Sequence, residues 1–434
     1  MKKSSIFSIC VAASLALPFF SCSDEPVVPT VEASIEIVRP EGIDDLQILK
    51  ETVVFRNLSS GEEMRFDSTE GLAIPVGIYE CSYEAEATYV NAGDEESAVV
   101  EGRLIGNAES VQVTAAGFKL VLPVYLSVDK DDFIFEEIFF TGTRRASGSS
   151  YIGDTYFKIY NNTDHVLYAD GLAICESKFK STQFFTYTPD IRQDEMTVHA
   201  IYVIPGNGTE HPVAPGESLV ICDTGIDHRI SNPNSFDLSD ADFEWYDEST
   251  NPSHTDIDSP TVPNLDKWYC YTLTVFVPHN RGFSSFALAR IPIGKEAYLS
   301  DYYYDYEYTI YVPAGTFPMS SSAYRLPNEW IVDGVNCSVE TDRQWNVLPP
   351  SIDAGWTHCG AMDFDENRFF KSIRRKMLYL TDDGIRVLKD TNNSTADFNP
   401  DCVPSLVEMQ HAAIDASGTK AERVTYDGVQ PVES

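Results

Sequence analysis

Period-two alternation across residues 31 to 127 most constrains what this chain can fold into. In Ser34-Ile35-Glu36-Ile37-Val38 and again in Gly77-Ile78-Tyr79-Glu80-Cys81-Ser82-Tyr83, outward and inward side chains take turns. That pattern puts one face of an extended strand on a core and the other in water. Val53-Val54-Phe55 runs into Asn57-Leu58-Ser59-Ser60-Gly61, a turn, and the chain returns through Ala98-Val99-Val100, Val111-Gln112-Val113 and Phe118 to Leu126. Short strands divided by turn signals predict a small β-sandwich over residues 31–128.

The polar break Asp129-Lys130-Asp131-Asp132 marks a domain boundary. Beyond it, Phe133 to Phe140 reads as a strand and Gly148 to Gly153 as a loop. Thr155 to Asp164 reads as a strand entering a turn, and Val166 to Ile174 follows. Val213-Ala214-Pro215-Gly216-Glu217-Ser218-Leu219-Val220-Ile221 holds a Pro-Gly turn before a further strand. Residues 223–266, rich in Asn, Asp, Ser and Pro, read as a long exposed loop. The expected fold class is all-β: two β-sandwich (Ig-like) domains, the second, over 129–400, enlarged by long loops. Residues 401–434 form a C-terminal segment.

The first residues constrain location. Lys2 and Lys3 precede a run from Ile6 to Phe20 that is apolar apart from Ser8 and Ser14. It fits a signal-peptide core and is short for a spanning helix, which needs about 20 residues. It ends at Phe19-Phe20-Ser21-Cys22, which resembles a bacterial lipobox with Phe19 where Leu is usual. That resemblance implies a lipoprotein signal peptide over 1–21, lipidation at Cys22 and a tether over 22–30. Ser23-Asp24-Glu25 resembles the signal that sends Bacteroidota lipoproteins to the cell surface, and so implies an outer-membrane protein facing outward. An ordinary secretory signal cleaved nearby is the alternative.

Composition excludes one class of partner. The 31 Lys and Arg face 67 Asp and Glu, a net charge of −36, and loss of Lys2 and Lys3 makes it −38. Such a surface repels phosphate backbones, so nucleic acid is not an expected partner. After Cys10 and Cys22, seven cysteines remain (81, 175, 222, 270, 337, 359 and 402) with no CxxC. Single buried thiols are the simpler reading, and one or two disulfides the alternative.

Three further resemblances organise the chain. The order of strand, Asn-x-x-x-Gly turn and Leu72-Ala73-Ile74-Pro75-Val76-Gly77-Ile78-Tyr79 looks like a carboxypeptidase-regulatory or transthyretin-like module, which implies a spacer. Glu136-Glu137-Ile138, Phe157-Lys158-Ile159-Tyr160-Asn161, Asp170-Gly171-Leu172, the Pro-Gly turn and Ser372-Ile373-Arg374-Arg375 resemble a lamin-tail-type immunoglobulin-like sandwich. Lys158 stands where that family has Glu, and Leu172 where it has Trp. The layout, with Leu348 to Gly355 and Lys389 to Phe398, resembles an uncharacterised Bacteroidota surface lipoprotein family. That family implies a TonB-dependent receptor as a partner. Asp67-Ser68-Thr69 resembles the O-glycosylation sequon of the same lineage and makes Ser68 a candidate acceptor.

Catalytic signatures are scarce. The chain has no G-x-S-x-G, H-E-x-x-H, Walker or G-x-G-x-x-G motif. Its eight His are dispersed, none at helical metal-ligand spacing, so no metal site is assigned. His358 and Cys359 are adjacent, hence on opposite faces of a strand and a poor catalytic pair. Asp240-Ala241-Asp242-Phe243-Glu244 and Asp363-Phe364-Asp365-Glu366-Asn367 are oxygen-rich places for a structural calcium, although the second lacks the EF-hand Gly and distal Glu. No cofactor is otherwise expected.

The most pointed feature is Asp301-Tyr302-Tyr303-Tyr304-Asp305-Tyr306-Glu307-Tyr308. On a strand Tyr302, Tyr304, Tyr306 and Tyr308 share a face. They could stack on sugar rings or form a protein contact, or else pack inward with the acids in water, which is the favoured reading. Trp245 and Trp268 flank the polar insertion as further ligand-binding candidates. The expected function is a non-enzymatic accessory lipoprotein of an uptake receptor. The alternatives are a surface glycan-binding protein, or a hydrolase with a carboxylate pair whose separation only the fold sets.

Overall fold

The computed structural model describes residues 29–40, 43–91, 99–115, 117–127, 131–313, 315–381 and 384–410. The expected signal peptide, Cys22, most of the tether and the chain after 410 lie outside them, so the lipidation expectation does too.

The fold is all-β. Strands Thr30–Val38, Leu72–Pro75 and Phe118–Pro123 form a three-stranded sheet in which Thr30–Val38 pairs in parallel with Phe118–Pro123, Ala33 opposite Phe118. A five-stranded sheet is built on the long strands Ile43–Asn57, Gly77–Asn91 and Val100–Val113. One core joins the two faces: Ile35, Ile74 and Leu122 from the first meet Phe55, Tyr79, Tyr83 and Leu104 from the second. The predicted turn forms at Asn57, whose Oδ1 accepts from the Ser59 and Ser60 N–H groups at 2.8 and 3.0 Å. Gly61 closes it at φ 73°.

The second region is also a sandwich, covered on its outer faces. Its six-stranded sheet centres on Ile134–Phe139, flanked by Tyr156–Tyr160 and Ser372–Arg375. Its larger sheet carries Leu172–Ser177, Glu195–Val203, Phe286–Arg290, Tyr303–Val312 and Gly315–Pro327. Phe135, Phe157 and Ile221 meet Ile174, Phe286 and Leu288 between the sheets. All six residues of Ile134–Phe139 and of Leu172–Ser177 are buried, because further layers cover the outer faces. Tyr298 of the short helix Lys295–Asp301 and Leu348 cover one. Phe236, Phe369, Phe370 and Val407 cover the other.

Burying both faces of strands that carry charges requires partners inside. Glu136 bonds Lys158 Nζ at 3.0 Å, Arg386 Nη2 at 2.8 Å and Ser218 Oγ at 2.5 Å. Burial works against its charge, but the two cations outweigh burial and hold the carboxyl at about 2. Lys158, the departure from the lamin-tail pattern, is thus the counter-ion of Glu136, and Leu172 is fully buried in the core. Arg375, also fully buried, donates to Asp333 Oδ2 at 2.7 Å, to Asp390 Oδ1 at 2.9 Å and to the Phe135 carbonyl at 2.7 Å. Asp353 accepts from Asn336 N, Gly355 N, Ser394 N and Ser394 Oγ between 2.6 and 3.0 Å. Gly355 is required there, since a Cβ would meet Asn393 Oδ1 at 2.1 Å. The strand Phe398–Cys402 and helix Ser405–Gln410 complete this region across position 400. Ser405 N donates to Glu137 Oε1 at 2.9 Å.

Residues 223–266 are not the exposed loop their composition predicts. Asp223, His228, Phe236, Leu238, Glu244, Trp245, Val262 and Leu265 are all buried. The polar side chains that suggest solvent instead bond the loop to itself and to its neighbours. Asn232 Nδ2 donates to Thr143 Oγ1 at 2.9 Å, and Glu244 accepts from Gly225 N and Ser259 N at 2.6 Å each. The seven described cysteines are free thiols, and all but the partly exposed Cys270 are buried.

Candidate functional site

The tyrosine row lies on the edge side of the larger sheet. Tyr302 is the C-cap of helix Lys295–Asp301 and stacks on Tyr298 at 5.3 Å, so it stands outside the strand. Tyr304, Tyr306 and Tyr308 follow on one face of strand Tyr303–Val312, with successive centroids 5.5 and 6.0 Å apart. This face turns inward. Tyr306 is 4 % exposed, Tyr304 shares a 2.6 Å hydrogen bond with Thr197 Oγ1, and burial pushes the Tyr304 phenol up to about 12. Asp305 and Glu307 point into water with Tyr303. The row is the back wall of an aromatic cluster, and Tyr306 offers no ring to a ligand.

The cluster's other members come from loops. Strand Tyr187–Thr188 adds onto Tyr303–Val312, placing Tyr187 opposite Tyr308. Phe179 stacks on Tyr187 at 4.0 Å and meets Tyr306 edge-on at 5.5 Å. Phe185 lies 5.1 Å from Tyr308, and Phe184 lies 5.5 Å from Trp345. Trp345 is fixed by its Nε1–H, which donates to the Lys180 and Gln183 carbonyls, each at 3.0 Å. The Arg192 guanidinium sits over Phe184, Trp345 and Tyr187 at 4.9, 5.1 and 5.5 Å. Asp190 aligns it through a two-oxygen contact at 2.7 and 2.5 Å, and that bond holds the Asp190 carboxyl below the usual range.

Two clefts open on this cluster. One, of about 430 Å³, is lined by Phe184, Arg192, Gln193, Arg343, Trp345 and Asn346. The other, of about 420 Å³, lies beside Thr188, Glu307, Tyr308, Tyr311 and Met319. Phe184 is 50 % exposed, and toward the hairpin tip Tyr311 is 76 % exposed and Phe317 48 %, on opposite faces of the hairpin. Both clefts fall in the size range of small-molecule sites. Aromatic faces beside a pinned guanidinium and side-chain amides suit a ligand with apolar ring faces and many hydroxyls. Asp190, ionised and paired, is poorly placed to act as a general acid.

The other predicted residues lie elsewhere. Trp245 is no binding aromatic: it is 1 % exposed and packed between Phe157 and Phe276, because the loop that carries it folds inward. Trp268 is half-buried against Tyr298. Ser68 is exposed in the turn after strand Glu63–Phe66, its Oγ accepting from Glu70 N at 3.1 Å. Neither predicted calcium loop gathers free oxygens. Asp242 accepts from Val220 N, Asp363 pairs with Arg281 at 2.6 Å, and Asp365 accepts from Ala361 and Asn367. Among the described residues, Asp170, Glu210 and His211 do bring possible metal-ligating atoms within 4.8 Å of one another. The Asp170 carboxylate is already filled by Gly208, Glu210 and His211 N–H groups at 2.8 to 3.1 Å. Phe184, Tyr187, Arg192 and Trp345 escaped sequence reasoning. Their only local signal is the aromatic run Phe184-Phe185-Thr186-Tyr187, with Trp345 distant in the chain.

Comparisons place this architecture among known proteins. Residues 214–405 match the model of a family described as a protein of unknown function (DUF4876). No curated protein matches the chain. A similar solved structure is the crystal structure of a DUF4876 family protein from Bacteroides thetaiotaomicron VPI-5482. It is 22 % identical, with 90 % of this chain and 99 % of that chain covered and a TM-score of 0.51. At that identity the likeness speaks for the fold alone. What the chain shares with an uncharacterised family is therefore a DUF4876-like domain over residues 214–405 on a similar overall fold.

Proposed function

We propose that this chain is a non-enzymatic, surface-exposed outer-membrane lipoprotein, anchored through Cys22, that binds for a TonB-dependent uptake receptor. The observation that carries a binding role is the cleft at Phe184, Arg192 and Trp345, held rigid by Asp190 and by two carbonyl acceptors. The N-terminal sandwich acts as a spacer above the membrane. Purification of the mature protein from detergent-extracted outer membranes tests the reading. A receptor co-eluting across detergents supports it, and the protein recovered alone across all of them overturns it.

A second reading, a surface glycan-binding protein, is favoured by the cleft's chemistry. Stacking platforms beside a guanidinium and amides are what a polysaccharide needs. Gel retardation by a panel of soluble polysaccharides, lost in Phe184→Ala, selects this reading.

A further inference from the structure

We propose that Asp223 and Asp256 hold a divalent cation, Ca²⁺ by its ligand chemistry, where the start of the 223–266 loop meets its own later turn. Asp223 directly follows strand Ser218–Cys222, and its N–H is tied to the Thr155 carbonyl at 2.9 Å. Its side chain is 3 % exposed, and its Oδ1 is buried with no hydrogen-bond donor.

The surroundings make this orphan informative. The Trp245 N–H on the Cys222 carbonyl at 3.1 Å and the Asp247 N–H on Asp256 Oδ2 at 2.8 Å bring this part of the loop to Asp223. The charged groups that act on it most are acids: Asp256 foremost, then Asp154, Asp247 and Glu244. Burial first, and these neighbours second, push the Asp223 carboxyl well above its ordinary range. Each neighbour has donors of its own. Asp154 accepts from Thr143 and Ser235. Asp247 accepts from Lys267 at 2.7 Å, Phe276 N at 2.7 Å and Tyr202 at 3.0 Å. Glu244 accepts from Gly225 and Ser259, and Asp256 from Asp247 N and Ile257 N at 2.8 and 2.9 Å. A fold that supplies donors to four clustered acids and none to the fifth leaves a place for a positive charge.

The available donors point to a hard cation. Both His228 nitrogens are engaged, with Tyr151 Oη at 2.7 Å and the Thr224 carbonyl at 2.8 Å, and the Cys222 thiol contacts the Phe243 carbonyl. That leaves carboxylate and backbone oxygens. Asp223 and Asp256 belong to no set of three ligating side chains within 4.8 Å of one another. Carbonyls and water complete the shell, as Ca²⁺ with its six to eight oxygens allows. The site would pin the 223–266 loop to the edge of the six-stranded sheet.

The test uses the full mature chain in detergent, stripped with EDTA and titrated with CaCl₂ by calorimetry in 0.15 M NaCl, with thermal melts in parallel. One Ca²⁺ binds per chain and raises the melting temperature saturably. Asp223→Asn abolishes both effects yet melts no lower than stripped wild type, because the neutral amide relieves the like-charge repulsion. Asp256→Asn weakens binding at least tenfold, while the exposed Asp240→Asn leaves it unchanged. Absence of Ca²⁺ binding by the wild type overturns the proposal and makes Asp223 a buried neutral acid. Binding retained in Asp223→Asn overturns the site.

Discussion

In the sandwich of residues 30 to 127, no charged or strongly polar side chain among the described residues is buried, whereas the region from 133 onward buries Glu136, Glu137, Asp154, Glu176, Asp223, Asp333, Asp353, Arg374, Arg375 and Asp397. The two regions are built from the same strands-and-turns vocabulary. They differ in how many faces each sheet covers. A sheet with one wet face can keep every charge outside, so simple alternation suffices. A sheet covered on both faces takes charges inside and needs a partner for each, which all of these except Asp223 find within the fold. The first region therefore depends on apolar volume, and the second on a set of ion pairs and backbone caps that also position its loops.

The sharpest way to break this contrast is Arg375→Met. It strands Asp333, Asp390 and Asp397 beside an apolar side chain, and urea unfolding should show a loss of about 4 kcal/mol, confined to the transition of the second region. Phe55→Ala is the matching lesion in the first region. Phe55 is fully buried between Phe66 and Tyr79, and the cavity should cost about 3 kcal/mol in that region's transition alone. Equal loss in both transitions from either variant would dissolve the comparison.

Acid should also tell the regions apart. Burial, then nearby Lys180, depresses His279 to about 4, and its Nδ1 accepts from Phe283 N at 3.2 Å in the neutral form. A group whose folded pKa lies below its unfolded value contributes stability that is full above the unfolded pKa, near 6.5, and lost as pH falls through the folded one. The His279 contribution to the second region should fall by up to roughly 3 kcal/mol between pH 6.5 and 4, opposed by buried acids such as Asp353, which burial raises to about 7. His279→Gln should remove most of that dependence, as followed by melts across the pH range. The smallest effect on stability belongs to Phe184→Ala at the exposed cleft, within about 0.5 kcal/mol of wild type; its consequence is reserved for binding.

The same contrast explains what was legible beforehand. Alternation in residues 34–38 and 77–83 predicts strands that form, because solvent marks every second residue. In the second region the motif pieces Glu136-Glu137-Ile138, Phe157 to Asn161 and Ser372 to Arg375 predict strands that lie side by side in one sheet. Of their charges, Glu136 and Lys158 pair with each other, while Arg374 and Arg375 pair with Glu408 and Asp333. The 223–266 loop misled for the same reason. Asn, Asp and Ser signal solvent only when water is the available donor, and here backbone N–H groups take that place. Of the candidate site, the tyrosine strand was readable by period two, with its even positions turned inward as the favoured reading had it. Phe184, Arg192 and Trp345 were not, since only the fold brings positions more than 150 apart together.

The most direct test of the central claim, that the aromatic end is the contact surface, compares wild type with Phe184→Ala. Receptor co-elution and polysaccharide retardation are measured side by side, with thermal melts confirming that the variant remains folded. The account predicts at least a tenfold loss of whichever interaction the wild type shows, at unchanged melting temperature. Full retention of both interactions by the folded variant would contradict it.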